Sequence, residues 1–135
     1  MTRENKTFPL CLTELVMLVS VLLAAGQASA QDVKRGEKLF ADCRACHTID
    51  PGTPNVHNVG PSLAGLIGRK AATLDGYRFS PAMKRSNITW DKNTLGAFIA
   101  DPQQAVPANR MPYAGMPDAK DVSDLIAYLA QAGGR

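Results

Sequence analysis

Cys43-Arg44-Ala45-Cys46-His47 gathers two thiols and an imidazole within five residues, and three chemistries compete for that set. A thioredoxin-like dithiol needs its C-x-x-C on a βαβ frame, and no strand run precedes Cys43. A zinc site needs four ligands, and outside the motif only His57 is on hand. The third chemistry is covalent haem attachment, for which C-x-x-C followed directly by His is the signature. Each thiol adds to one haem vinyl group, and two intervening residues let both sulfurs reach vinyls on one porphyrin edge. The histidine next in the chain is then held under the iron as an axial ligand. With two histidines in the whole sequence, a multi-haem array and a His-rich metal cage are excluded.

The elements around the motif agree with a haem site. Gly36, Leu39, Phe40 and Cys43 fall at i, i+3, i+4 and i+7, so a helix is expected from Asp32 into the motif. Val122, Leu125, Ile126 and Leu129 repeat that spacing near the C-terminus. Asp118 is the expected cap there, with Asp121 and Asp124 close to the positive end and Gly133-Gly134 as the stop. A third helix starts after Thr89 and carries Leu95, Phe98 and Ile99. No period-2 run is long enough for a strand, so the fold class is all-α. Most of the prolines and glycines lie between the helices. A domain this small and loop-rich has a thin core, which a flat apolar cofactor would complete.

The first thirty residues read as a separate segment. Arg3 and Lys6 precede the apolar run Leu15–Ala25, which ends in Ala28-Ser29-Ala30. That is the layout of a cleavable signal peptide, and the run falls short of the roughly 20 residues that span a bilayer. The expected organisation is a signal peptide over 1–30 and one domain over 31–135, with an uncleaved anchor as the alternative. The expected location is the periplasm. Cleavage would remove Cys11 and leave only Cys43 and Cys46. Fifteen Lys and Arg against twelve Asp and Glu give +3, too weak a balance to imply a nucleic-acid partner. Three cysteines rule out a three-bridge disulfide scaffold.

From Val33 to Ala132 the chain resembles class I cytochrome c, of the soluble mitochondrial and bacterial type. Gly36 and Phe40 match that family's N-terminal helix, and Leu125-Ile126-Ala127-Tyr128-Leu129 its C-terminal helix. Gly60-Pro61-Ser62-Leu63-Ala64-Gly65-Leu66-Ile67-Gly68-Arg69 matches the loop after the haem motif. The resemblance implies the cytochrome c fold, with terminal helices crossing and loops wrapped around one haem c bound through Cys43 and Cys46. It implies that the Pro61 carbonyl orients His47, and that His57 pins a proximal loop. Soft thioether sulfur suits low-spin iron, and the C-terminal half offers Met83, Met111 and Met116. Within Arg110-Met111-Pro112-Tyr113-Ala114-Gly115, Met111 falls on the family's ligand position. Trp90, Tyr77, Arg69 and Asn109 fall at propionate-side positions, Asn109 either reaching a propionate or fixing the ligand loop.

Departures from the family pattern make the pocket less polar. Phe79 and Phe98 stand where mitochondrial proteins usually have tyrosine, and Met83 where they often have asparagine. Ferric iron is disfavoured in such a pocket, which would raise the reduction potential. The implied function is a monomeric one-electron carrier, not an enzyme. The implied donor is quinol–cytochrome c reductase, and the acceptor a terminal oxidase or photosynthetic reaction centre. The alternatives are a haem subunit of a larger oxidoreductase and a peroxidase or gas-binding haem protein. Arg44, Lys70, Arg85 and Arg110 are candidates for a docking ring at the haem edge, with Tyr113 as its aromatic.

Overall fold

A computed structural model describes residues 31–52 and 59–134, which belong to one compact unit beginning at Gln31. The leader over 1–30 and His57 lie outside the described residues. Among the described residues five helices follow one another: α1 Val33–Cys43, α2 Pro81–Arg85, α3 Lys92–Ala100, α4 Pro102–Ala105 and α5 Ala119–Ala132. An isolated antiparallel bridge joins Lys70 to Thr89, and no strand occurs among the described residues. None of the described helices is long and apolar enough to cross a membrane.

Each long helix begins at an aspartate that satisfies otherwise unpaired N-terminal amides. Asp32 accepts from the Arg35 amide and Asp118 from the Asp121 amide. Asp91 forms a reciprocal capping box with Thr94. The expected boundaries near Asp32, Thr89 and Asp118 are therefore those of α1, α3 and α5. The short helices α2 and α4 had no expectation, because four or five residues cannot show a 3.6-residue period. Their sign was local: Ser80-Pro81 and Asp101-Pro102 each place a capping oxygen before a proline at the first helical position.

The fold turns on the contact between α1 and α5. A Cβ on Gly36 would lie 2.1 Å from the Asp124 carbonyl oxygen, so only glycine lets the two backbones meet. One turn on, Phe40 is fully buried, with its ring centroid 5.4 Å from that of Tyr128. The Asp124 side chain, which the sequence suggested only as a favourable charge near the helix end, is 1% exposed. It accepts from the Asp32 amide at 2.8 Å and from Lys120 Nζ at 2.8 Å, so it ties the start of α1 to α5. Outside this crossing, Arg35 Nε donates to Asp121 at 2.8 Å.

The loop after the haem motif is pinned at both ends. Gly65 donates to the Gly133 carbonyl at 2.7 Å, beside the end of α5. Trp90 donates to the Arg69 carbonyl at 3.0 Å and Ala71 to that of Ile88 at 2.8 Å, which fastens the loop to the approach to α3. Leu66, Trp90, Leu95, Phe98, Ile99, Leu125 and Leu129 belong to the core and also line a cavity.

Candidate functional site

A cavity of about 270 Å³ opens between the end of α1, the 59–69 loop, the 77–83 segment, α3 and the 109–113 loop. Cys43, the last residue of α1, and Cys46 and His47 in the turn after it supply one part of the wall. The Cys46 and His47 amides both bond the Cys43 carbonyl, at 3.1 and 2.9 Å. This keeps the motif coiled, with both thiols and the imidazole on the cavity. Burial pushes the Cys43 thiol up, and the Asp42 carboxylate and Cys46 add to that. Burial thus keeps Cys43 as a neutral thiol.

His47 Nδ1 lies 2.7 Å from the Pro61 carbonyl oxygen. A carbonyl only accepts, so Nδ1 carries the proton and Nε2 keeps its lone pair. Burial lowers the His47 pKa, against the opposing pull of that hydrogen bond, which keeps the ring neutral. A neutral imidazole with its second nitrogen fixed in this way is the form that ligates a metal.

The facing loop brings Met111 to the same cavity. Asn109, 8% exposed, donates through Nδ2 to the carbonyls of Pro102 (2.7 Å) and Val106 (3.0 Å). Its Oδ1 accepts from the Met111 amide at 2.8 Å. Of the two uses foreseen for Asn109, the geometry is that of a residue that fixes the loop. Met83, in α2, also lines the cavity, whereas Met116 does not. The Met116 amide is bonded to the Ile99 carbonyl at 2.9 Å, on the far side of the Gly115 turn.

The remaining foreseen residues, Arg69, Tyr77 and Trp90, all reach the cavity wall. Arg69 gives its two terminal nitrogens to the carbonyls of Ala64 (2.8 Å) and Ser62 (2.9 Å). Burial lowers its pKa, yet a guanidinium stays charged, so the wall carries a fixed positive group. Tyr77 donates to the Val59 carbonyl at 2.9 Å and packs edge-on against Phe79 at 4.7 Å. Trp90 is 6% exposed and packs against Phe98 at 5.2 Å. Its indole lines the cavity, and a buried indole N–H ordinarily finds an acceptor. Apolar walls, two thiols on one side, a neutral imidazole, a thioether, an indole N–H and a guanidinium fit a flat iron porphyrin with two carboxylates.

Two residues of the site had no assigned role in the sequence reading. Gly60 packs directly on the His47 ring; its sign was a glycine just before Pro61, whose carbonyl was expected to orient His47. Arg78 lies at the cavity with Arg110 and Tyr113. Of the four cations offered for a docking ring, only Arg110 lines the cavity. Arg44 folds back instead, its guanidinium 5.5 Å from the Phe40 ring centroid and 3.3 Å from the Tyr128 hydroxyl.

The family model described as cytochrome c matches residues 33–133. Cytochrome c2 of Blastochloris viridis is 44% identical over 119 residues, covering 87% of this chain and 92% of that protein. Cytochrome c2 of Rhodoplanes tepidamans is 45% identical over 103 residues, covering 76% and 94%. Among solved structures, cytochrome cH from Methylobacterium extorquens superposes with a TM-score of 0.68 at 44% identity, covering 74% of this chain and 98% of that one. With the C-x-x-C-H turn, the helix crossing and the cavity in place, the chain belongs to the class I cytochromes c: it carries one covalently attached haem c and is an electron carrier, not an enzyme.

Proposed function

We propose that the haem iron is held between His47 Nε2 and Met111, with thioethers at Cys43 and Cys46, and that the protein passes single electrons between membrane complexes. The observation that carries this reading is the pairing of two pre-set donors across one cavity. His47 has its other nitrogen committed to Pro61, and Met111 has its backbone committed to Asn109. The haem supplies the electron; the chain's part is to keep both axial positions filled by the same two side chains in either redox state. Little then has to move on electron transfer, and no coordination position is left for a substrate. Trp90 and Arg69 are suited to the propionates, and Tyr77 and Asn109 to holding the loops that close over them.

The same reading places residues 31–135 in the periplasm after cleavage following Ala30. The donor is then a quinol–cytochrome c reductase and the acceptor a terminal oxidase or photosynthetic reaction centre. Arg78 and Arg110 at the cavity, with Tyr113 beside them, support transient docking at the haem edge. The deciding experiment is the oxidised absorption spectrum, in which sulfur–iron ligation gives a weak far-red band. Met111→Ala should abolish that band and admit water or an added ligand to the iron. Met116→Ala should leave it in place. The reverse pattern would move the axial ligand to Met116.

A further inference from the structure

Gly60 is a glycine for want of space, not for backbone freedom. Gly65, Gly68, Gly76 and Gly115 have positive φ, and Gly60 does not. It precedes Pro61, which favours an extended conformation that any residue adopts. Yet a Cβ at this position would lie 2.5 Å from His47 Cε1, 2.7 Å from Nδ1 and 2.9 Å from Nε2. Real Cβ atoms do not approach that closely, so a methyl group here must displace something.

Neither side can retreat at no cost. The Gly60 amide donates to the Cys46 carbonyl at 2.9 Å, and the next carbonyl, that of Pro61, accepts from His47 Nδ1 at 2.7 Å. Residues 60–61 are thus fastened to residues 46–47 by one bond to the main chain and one to the ring. Backing the loop away breaks the first bond, and turning the ring breaks or bends the second. We propose that Gly60 is a positioning residue for the proximal ligand: its bare Cα fixes the plane of the His47 imidazole and keeps Nδ1 on the Pro61 carbonyl. That bond makes the imidazole a stronger donor, which favours ferric iron. Through it, the missing side chain at residue 60 helps to set the reduction potential. The inference rests on His47 as the axial ligand.

The test is Gly60→Ala on the holoprotein, with Gly96→Ala as control. A Cβ at Gly96 would meet only Ile126 and Val122, at ordinary contact distances of 3.7 and 3.9 Å. At a fixed ambient potential, Gly60→Ala should shift the ferric-to-ferrous ratio several-fold toward ferrous. It should also change the haem-methyl shift pattern in the ferric NMR spectrum, which reports the orientation of the axial imidazole. Gly96→Ala should move neither. An unchanged potential and methyl pattern in Gly60→Ala would overturn the proposal. If that variant assembles too little holoprotein, the ferrous parent decides. A strong nuclear Overhauser contact between a Gly60 Hα and His47 Hε1 supports the packing, and its absence overturns it. A parent protein whose spectra lack histidine ligation would instead refute the axial assignment itself, so the two failures are distinguishable.

Discussion

Asn109 shows how a single buried amide can prepare a ligand loop. Its three hydrogen bonds close the turn from Pro102 to Met111 at a site that is 8% exposed. Asn109→Ala would leave the Met111 amide without a partner, at roughly 1–3 kcal/mol for a buried group, and would take one donor from the Pro102 and Val106 carbonyls, which keep the Val106 and Asn109 amides. Some of that returns if water enters, so a net destabilisation of about 1–2 kcal/mol is expected, measurable by denaturant unfolding. The far-red band should weaken as well, because the Met111 backbone loses its anchor. A variant of full stability with an unchanged band would show that the Pro107 turn holds the loop by itself. The same logic applies to His47 and Pro61, where one 2.7 Å bond fixes which ring nitrogen faces the cavity.

At the scale of elements, the α1–α5 crossing carries two separable devices. The first is the close approach at Gly36. Gly36→Ala drives a methyl into the Asp124 carbonyl, and overpacking of this kind costs on the order of 3 kcal/mol. A correspondingly lower denaturant midpoint, with the visible spectrum retained at low denaturant, is the expected result. The second device is the Asp124 carboxylate. The Lys120 ammonium, then the Asp32 amide, hold its pKa below the ordinary carboxylate range against the opposing effect of burial. A carboxylate with a depressed pKa contributes stability that is present above its unfolded pKa and is lost as pH falls through its folded pKa. Asp124→Asn should therefore lower stability at neutral pH and flatten the acid limb of the stability–pH curve. Parallel curves for parent and variant would assign the acid limb to other carboxylates.

For the whole molecule, the relevant quantities are charge and cavity. A formal charge of +3 is modest, so charge should steer encounters more than it holds complexes. Reduction by an acidic partner should slow as ionic strength rises from about 10 to 150 mM, where the screening length falls from roughly 30 to 8 Å. Arg110→Glu and Arg78→Glu should slow it at low salt without altering the visible spectrum. Lys70→Glu should do less, because Lys70 does not line the cavity. Rates equal for all three variants would place docking away from this mouth. The cavity also implies that the chain needs its haem to fold. Leu66, Trp90, Leu95, Phe98 and Leu129 serve the core and the cavity wall at once. Replacing Cys43 and Cys46 together by Ala should abolish covalent haem and leave a chain without a cooperative unfolding transition in circular dichroism.

The sequence by itself determined the chemistry, because attachment depends on a spacing of five adjacent residues that no distant contact can supply. It also determined the three long helices, since each combines an aspartate cap with several turns of apolar periodicity, both of them local signals. The need for Gly36 at a helix contact was legible through the family resemblance. Met111 was legible through the family's ligand loop, and tertiary structure added that Met111 and Met83 share the cavity with His47 while Met116 does not. It alone showed Asp124 to be a buried tie, since its partner amide is 92 residues away. Arg44 likewise lies on Phe40 and Tyr128 instead of ringing the cavity, a choice made by a neighbour 84 residues on. Local pattern fixes what a segment can become. Where the chain returns to meet itself fixes what each side chain touches, and for Gly60 that meeting is with the His47 ring.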